Sequence, residues 1–325
     1  MDNKINIILI GGTGRSGTNI LKKILSAHPG AVSLPFEHRF IIDPGGIVDF
    51  YNAYSSTWSP FFADYKIKAL EKYLLGLSKR HFFHFLFSRF IRVFNKDGKT
   101  MAPARYYGWE LNKWFPDYER KVASLINNLL AYKYSGIYPG TKNYSFKNNI
   151  YYASPMHKEN LAEIFKDFIF SCIHDLLLKH NKEIFIEDNT WNILFAKELQ
   201  DIMPEFKLIH IIRDPRDVVT SLIKQRWAPS ELKQAVTFYK DILKKWISIK
   251  SQINNCLEIK LEDLVKQSEN ELSNICRFSE ISFHKDMLKI DLSKANSGRW
   301  KKEITTQHQE YLRENLADLV AYYGY

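Results

Sequence analysis

Apolar residues fall into two kinds of pattern along this chain, and the two are not evenly mixed. Ile5, Ile7, Ile8, Leu9 and Ile10 form a nearly unbroken, β-branched run, which predicts a strand buried on both faces. A glycine-rich turn follows. Ile20, Leu21, Ile24 and Leu25 then recur at helical spacing until His28-Pro29-Gly30 ends the helix, and Ala31 to Leu34 predicts a second strand. The same alternation returns near Glu183. Ile184 to Ile186 predicts a strand, Trp191 to Ile202 a helix closed by Met203-Pro204, and Lys207 to Ile212 another strand. Asp214-Pro215 has the form of an N-cap with proline at the first helical position, ahead of a helix with Val218, Val219, Leu222 and Ile223 on its apolar face. Cys256 to Lys260 is a shorter strand, and the remainder is largely helical. Strands separated by helices predict an α/β fold with a mainly parallel central sheet.

Between the two blocks the pattern changes. Residues 51–182 are rich in Phe, Tyr, Lys and Asn, with weak strand signals and several amphipathic helical stretches. The expectation is one domain over residues 1–325, with 51–182 as a helical insertion forming an acceptor site or lid. Phe82, Phe83, Phe85 and Phe90 predict a local helical core within it.

Composition narrows the class. With 45% hydrophobic and 25% charged residues over 325 positions, the chain can bury a full core, which excludes disordered, collagenous and disulfide-scaffold classes. Cys172, Cys256 and Cys276 are odd in number and widely spaced, a pattern of reduced thiols in a cytosolic setting rather than a zinc site. The apolar run at Ile5–Ile10 is too short for a signal peptide. The stretch His81–Phe94 carries Arg89 and Arg92 and falls short of the roughly 20 residues a bilayer span needs. A soluble, cytoplasmic protein without a transmembrane segment is expected. The balance of 46 Lys+Arg against 36 Asp+Glu, a formal +10, calls for an anionic partner: nucleic acid, an acidic membrane surface or a small anionic ligand. The cations are dispersed, with only short pairs such as Lys244-Lys245 and Lys301-Lys302, which disfavours nucleic acid.

The strongest local chemistry is Gly11-Gly12-Thr13-Gly14-Arg15-Ser16-Gly17-Thr18-Asn19, set between a buried strand and a helix. Glycines allow a tight turn and close approach of the backbone, and the free N–H groups and dipole of the helix start favour an anion. The loop differs from a Walker A sequence, because Thr18 rather than Lys follows the closing Gly17 and the cation stands earlier, at Arg15.

Gly14-Arg15-Ser16-Gly17-Thr18 after a first strand resembles the 5′-phosphosulfate loop of sulfotransferases that use 3′-phosphoadenosine 5′-phosphosulfate (PAPS), where Lys or Arg precedes Ser-Gly-Thr. Arg213-Asp214-Pro215-Arg216-Asp217-Val218-Val219-Thr220-Ser221 resembles the same family's 3′-phosphate element, in which an Arg at a strand end and a Ser eight positions later hold the phosphate. Ser297-Gly298-Arg299-Trp300-Lys301-Lys302-Glu303 is similar to its closing Gly-x-Trp-Lys segment, and Leu261-Glu262-Asp263-Leu264 stands where relatives carry Tyr-Glu-Asp-Leu. The order and spacing of the four elements carry more weight than any one of them. The resemblance covers roughly residues 5–45 and 183–325 and implies a three-layer, P-loop NTPase-like fold. It also implies PAPS as co-substrate, no metal, and a donor site of Gly14, Arg15, Ser16, Gly17, Thr18, Asn19, Arg213, Ser221, Arg299, Trp300 and Lys301.

Sulfuryl transfer needs a group to take the acceptor's proton. Pro35-Phe36-Glu37-His38-Arg39, after the second strand, supplies two candidates. The segment resembles the tyrosylprotein and bacterial sulfotransferases, which place a Glu base after an Ala-His-Pro turn (here Ala27-His28-Pro29), and this implies Glu37, with His38 the alternative. Many relatives carry Lys-Thr-Pro where this chain has Asp188-Asn189-Thr190, so Arg15 and Lys301 or Lys302 would carry more of the charge. The implied acceptor is a hydroxyl or amine on a small molecule, glycan or peptide. Two other readings stand beside this one: an ATP- and Mg²⁺-dependent P-loop phosphotransferase, which calls for the absent Walker lysine, and a non-catalytic polyanion-binding module.

Overall fold

The computed structural model describes residues 5–37, 40–79, 110–136, 149–293, 295 and 297–325. Two compact units are formed, one by Met1–His38 with His180–Tyr325 and the other by Arg39–Lys179. The strands among the described residues are β1 (Asn6–Gly11), β2 (Ala31–Ser33), β3 (Tyr132–Ser135), β4 (Asn149–Tyr152), β5 (Ile184–Asp188), β6 (Lys207–Ile212) and β7 (Cys256–Lys260).

In the first unit five strands form one parallel sheet in the order β2-β5-β1-β6-β7. β1 takes the centre because Ile7 to Gly11 are all buried, as the unbroken apolar run requires. This is an α/β architecture with a parallel central sheet and helices on both of its faces. One face, carrying Ile8, Ile10, Ile186, Ile209 and Ile211, packs against Leu21, Ile24 and Leu25 of helix α1 (Thr18–Ser26) and against Leu264, Leu272 and Ile275 from later helices.

The other face holds a polar network under the helix Leu232–Ile249. His210 and Glu258 are register partners across β6 and β7 and hydrogen-bond at 2.9 Å. Glu258 also accepts from the Trp246 indole N–H and the Lys250 ammonium, each at 2.8 Å. Burial opposes ionisation of Glu258, but the His210, Lys250 and Trp246 donors outweigh it and hold its pKa at about 2. Burial lowers the pKa of His210 despite Glu258. Both shifts make the unfolded chain bind more protons than the folded one. Stability from Glu258 is therefore present above its unfolded pKa of about 4.3 and lost as pH falls toward 2, while the neutral His210 begins to cost stability below about 6.5. Glu258→Gln is expected to lose about 2 kcal/mol at pH 7 and to flatten the fall in melting temperature below pH 4.5, read by thermal unfolding across pH. An unchanged acid slope would rule the network out as its source.

One predicted element differs from the structure. The helix expected over Trp191–Ile202 is a 3₁₀ turn, Thr190–Phe195, leading into a short α-helix, Ala196–Ile202. The start of this segment is pinned to the sheet. Thr190 O accepts the Gly12 N–H, Asn189 caps the Trp191 N–H, and Asn192 Nδ2 donates to Ile10 O at 3.0 Å and to Glu187 at 2.6 Å.

The second unit contains the helices α2 (Ile47–Ser56), α3 (Pro60–Gly76), Tyr118–Leu129 and Lys158–His180 around Phe40, Phe50, Phe115, Tyr118, Phe165 and Phe168. It also carries the antiparallel pair β3–β4. The fully buried Asp64 anchors that pair, accepting the Tyr151 N–H at 2.7 Å while Lys68 balances its charge at 2.8 Å. Phe82, Phe83, Phe85 and Phe90 lie outside the described residues. Among the described residues, no helix is long and apolar enough to cross a membrane. The three cysteines are free thiols; burial pushes the pKa of Cys172 and Cys256 to about 12 and that of Cys276 to about 11.

Candidate anion-binding site at the end of β1

The connection after β1 runs to one side of the sheet and the connection after β6 to the other. Their carboxyl ends therefore border a crevice of the kind in which α/β sheets bind ligands. The loop from Gly11 to Gly17 turns there. Gly14 (φ 73°), Arg15 (φ 60°) and Gly17 (φ 114°) are left-handed, and Arg15 is the one of the three that carries a side chain in this strained region. Space also dictates the glycines. A Cβ at Gly12 would lie 2.2 Å from Ser16 Oγ, and one at Gly17 would lie 3.0 Å from Leu261 Cδ1. Thr18 opens α1, whose first amides have no intrahelical acceptor. Ser16 is 1% exposed, and among the described residues its hydroxyl has no hydrogen-bond partner.

On the β6 side, Arg15 of the loop meets Arg213 and Ser221, which lie 198 and 206 positions further along the chain. Arg213, immediately after β6 and 6% exposed, donates from Nη1 to the Arg15 carbonyl at 3.1 Å. Arg15 Nε donates to Ser221 Oγ at 3.0 Å. Asp217 Oδ2 lies 3.7 Å from Arg213 Nη2. Burial lowers the pKa of Arg213, opposed by the Asp217 and Glu262 carboxylates, so a desolvated guanidinium is held beside the loop. Asp217, fully buried, also accepts the Gly298 N–H at 2.7 Å and the Trp300 N–H at 2.9 Å, fastening the C-terminal segment to the Arg213 helix. Glu262 accepts the Asp214 N–H at 3.1 Å and the Tyr325 hydroxyl at 2.7 Å.

On the β5 side, carboxylates gather. Glu187 is buried, and its pKa is pushed well up by desolvation and by the charges of Asp188 and Glu37. Asp188, 1% exposed, is also raised by burial although Lys22 of α1 reaches it at 2.6 Å. Glu37 is half-buried after β2. His38 lies outside the described residues. Among the described residues no three His, Cys, Asp or Glu side chains gather as a metal site.

Comparison with known proteins bears on this arrangement. The sequence profile of the sulfotransferase family matches residues 138–285. By this match the chain is similar to the sulfotransferase family over less than half of its length. A provisionally assigned protein-tyrosine sulfotransferase of Caenorhabditis briggsae is 23% identical over 134 residues, covering 39% of this chain and 48% of the relative. The chain thus spans about half the length of the curated relatives it matches. Among solved structures, the sulfotransferase domain of the Synechococcus PCC 7002 olefin synthase is 14% identical with a TM-score of 0.46, over 96% of this chain and 94% of that one. The sulfotransferase STF1 of Mycobacterium tuberculosis is 13% identical with a TM-score of 0.44, over 98% of this chain and 78% of that one.

In the structure, Gly14, Arg15, Ser16, Gly17 and Thr18 lie in the turn and at the start of α1, and Arg213 and Ser221 meet Arg15 directly. Asn19 is exposed on α1. Trp300 is 2% exposed, with Arg216 and Arg313 over its ring at 4.5 and 5.2 Å and Lys301 at 5.6 Å, so its indole is packed among cations. Arg299 pairs with Glu303 at 2.5 and 3.0 Å. Arg216 is held by Asp214 at 2.8 Å. Leu261 belongs to the apolar core against Gly17. Sequence reasoning passed over Asn192 and Lys22, and quoted Asp217 and Glu262 within motifs without a site role. Asp217 alone had a usable signal, an acid four residues after Arg213 on one helix face. A lysine does stand at the end of β5, but α1 supplies it.

Proposed function

We propose that the protein transfers the sulfuryl group of PAPS to an acceptor hydroxyl or amine and releases adenosine 3′,5′-bisphosphate. The observation that carries this reading is the convergence of Arg15, Arg213 and Ser221 beside the glycine loop. A donor with phosphate at the 3′ position and phosphosulfate at the 5′ position asks for two anion sites at a fixed separation. Here one guanidinium belongs to the loop and donates to the Ser221 hydroxyl, and another sits buried at the strand end and donates to the loop backbone. The residues fit a phosphate. The buried Ser16 hydroxyl has no protein partner among those described, the first amides of α1 have no intrahelical acceptor, and Gly12 leaves no room for a side chain. Arg299 and Lys301 are carried on the segment that Asp217 fastens alongside.

In transfer, the acceptor oxygen or nitrogen forms a bond to sulfur as the bond from sulfur to the phosphate oxygen breaks. The acceptor's proton passes to Glu37. Arg15 and the amides of Ser16, Gly17 and Thr18 stabilise the charge that develops on the departing phosphate. Glu187 and Asp188 crowd the Glu37 edge with acid, and Lys22 offsets part of that field. The acceptor class, whether small molecule, peptide or glycan, is decided outside this constellation.

Isothermal calorimetry tests the donor. Adenosine 3′,5′-bisphosphate is expected to bind without Mg²⁺ and at least about tenfold more tightly than AMP, the yield of one charge-assisted contact. Equal affinities would remove the 3′-phosphate site from the scheme.

A further inference from the structure

Asp217 joins the helix Pro215–Leu222 to main-chain amides 81 and 83 positions further along the chain. Its carboxylate is fully buried, with Oδ2 at 3.7 Å from Arg213 Nη2. Oδ2 also accepts the Gly298 N–H at 2.7 Å, and Oδ1 accepts the Trp300 N–H at 2.9 Å. Each oxygen is thus held by the backbone of the C-terminal segment. The separation from Arg213 exceeds hydrogen-bond length, so Asp217 orients that guanidinium by charge without clamping it. A carboxylate taken out of water needs such partners, and losing one leaves a buried charge uncompensated.

The charges around Asp217 show what it organises. Burial lowers the pKa of Arg213, Asp217 and Glu262 oppose that fall, and the charges of Arg299 and Arg15 add to it. The pKa of Arg299 is raised, first by its hydrogen bond to Glu303 and further by the charge of Asp217. Arg213 therefore lies in the field of two other guanidiniums, one from the glycine loop and one from the segment that Asp217 holds. Such a gathering repels itself until anions offset it, and a phosphate is an anion it can accept. Gly298 is left-handed at φ 74°, and a Cβ there would meet nothing within 4 Å. Backbone conformation, not space, calls for glycine where the chain turns its N–H toward Asp217.

We propose that Asp217 is a positioning residue that couples the 3′-phosphate site at Arg213 to the segment Gly298–Lys301, so that a 3′-phosphorylated nucleotide is bound and that segment is fixed as one event. This rests on the sulfuryl-transfer reading above. The link works in both directions. A phosphate on Arg213 steadies the guanidinium that faces Asp217, and a segment fixed on Asp217 keeps the Arg299 charge within the field of Arg213. A nucleotide without the 3′-phosphate gains nothing from the link. Asp217 acts through the two amides it holds rather than through its charge, and the sign of the effect separates the two. A carboxylate near a phosphate repels it, so removing a purely electrostatic Asp217 would tighten the bisphosphate.

The test compares adenosine 3′,5′-bisphosphate with AMP on the full chain, by calorimetry and by limited trypsin digestion at Arg299, Lys301 and Lys302. In wild type the bisphosphate is expected to slow cleavage at these sites at least about fivefold, and AMP to leave it unchanged. Asp217→Asn keeps the shape of the side chain but only one acceptor oxygen. It is expected to weaken the bisphosphate about tenfold, to hold AMP within about threefold, and to lose the protection from trypsin. Gly298→Ala disturbs the same contact from its other end, by backbone strain in open space, and is expected to lower the preference for the bisphosphate over AMP about threefold. This second variant carries the test if Asp217→Asn does not fold. Four results would overturn the proposal: an unchanged preference in the variants, equal losses for both nucleotides, tighter bisphosphate binding in Asp217→Asn, or trypsin protection that survives it. Wild type binding the two nucleotides equally would overturn the donor reading together with this one. Wild type that prefers the bisphosphate, with variants that share its preference, would overturn this one alone.

Discussion

Glu37→Gln is expected to lower turnover by about two to four orders of magnitude, the usual yield of a positioned general base, while binding adenosine 3′,5′-bisphosphate as wild type does. The substitution keeps the size and hydrogen-bonding shape of the side chain and removes only its capacity to accept a proton. Glu37 follows β2, on the opposite side of β1 from Arg213 and Ser221, so the donor contacts are untouched by the change. Its charge is felt by the buried Glu187, which places it in the same acidic edge. Single-turnover transfer from labelled PAPS, with calorimetry as the binding control, measures both halves. Turnover within about threefold of wild type would take Glu37 out of the reaction and return the base role to its neighbour His38.

Arg213→Ala is expected to weaken adenosine 3′,5′-bisphosphate by about 100-fold and AMP by no more than about threefold. Removing one partner of a buried, charge-assisted contact costs about 2–5 kcal/mol, and only the bisphosphate presents the 3′-phosphate to it. Some general loss is built in, because Arg213 Nη1 also supports the Arg15 carbonyl in the loop. The AMP measurement isolates that share. Arg213→Lys keeps the charge but not the two-pronged geometry and is expected to fall between wild type and Ala. Equal losses for both nucleotides would mean that Arg213 acts by bracing the loop rather than by holding the 3′-phosphate. Thermal unfolding of each variant separates either outcome from a folding defect.

Much of the scaffold was legible because its signals are local. The runs Lys207–Ile212 and Cys256–Lys260 are strands over the same residues, and the Asp214-Pro215 start of a helix appears with the Asp214 side chain accepting the Arg216 N–H. The segment after β5 was misread as one helix because its apolar spacing is helical, whereas the bonds that tighten its first turn come from Gly12 and Ile10, about 180 positions away. The β3–β4 pair was missed for a similar reason, since its anchor is a buried aspartate on another helix.

The site divides along the same line. Sequence alone determined the glycine turn between a buried strand and a helix and the arginine within it, because chain geometry over a few residues settles these, whereas the pairing of Arg213 with Ser221 came from resemblance to a family motif. Tertiary structure decided which groups meet. Arg15 was adjacent in sequence to nothing on the β6 helix, yet it donates to Ser221, and Asp217 joins Arg213 to the segment at Gly298–Trp300. It also decided that Trp300 is packed among cations while Trp227 stands half-open over Gly14, although both are single tryptophans in polar surroundings when read along the chain. Exposure is a property of what the rest of the fold covers, and the covering groups come from strands and helices far apart in sequence.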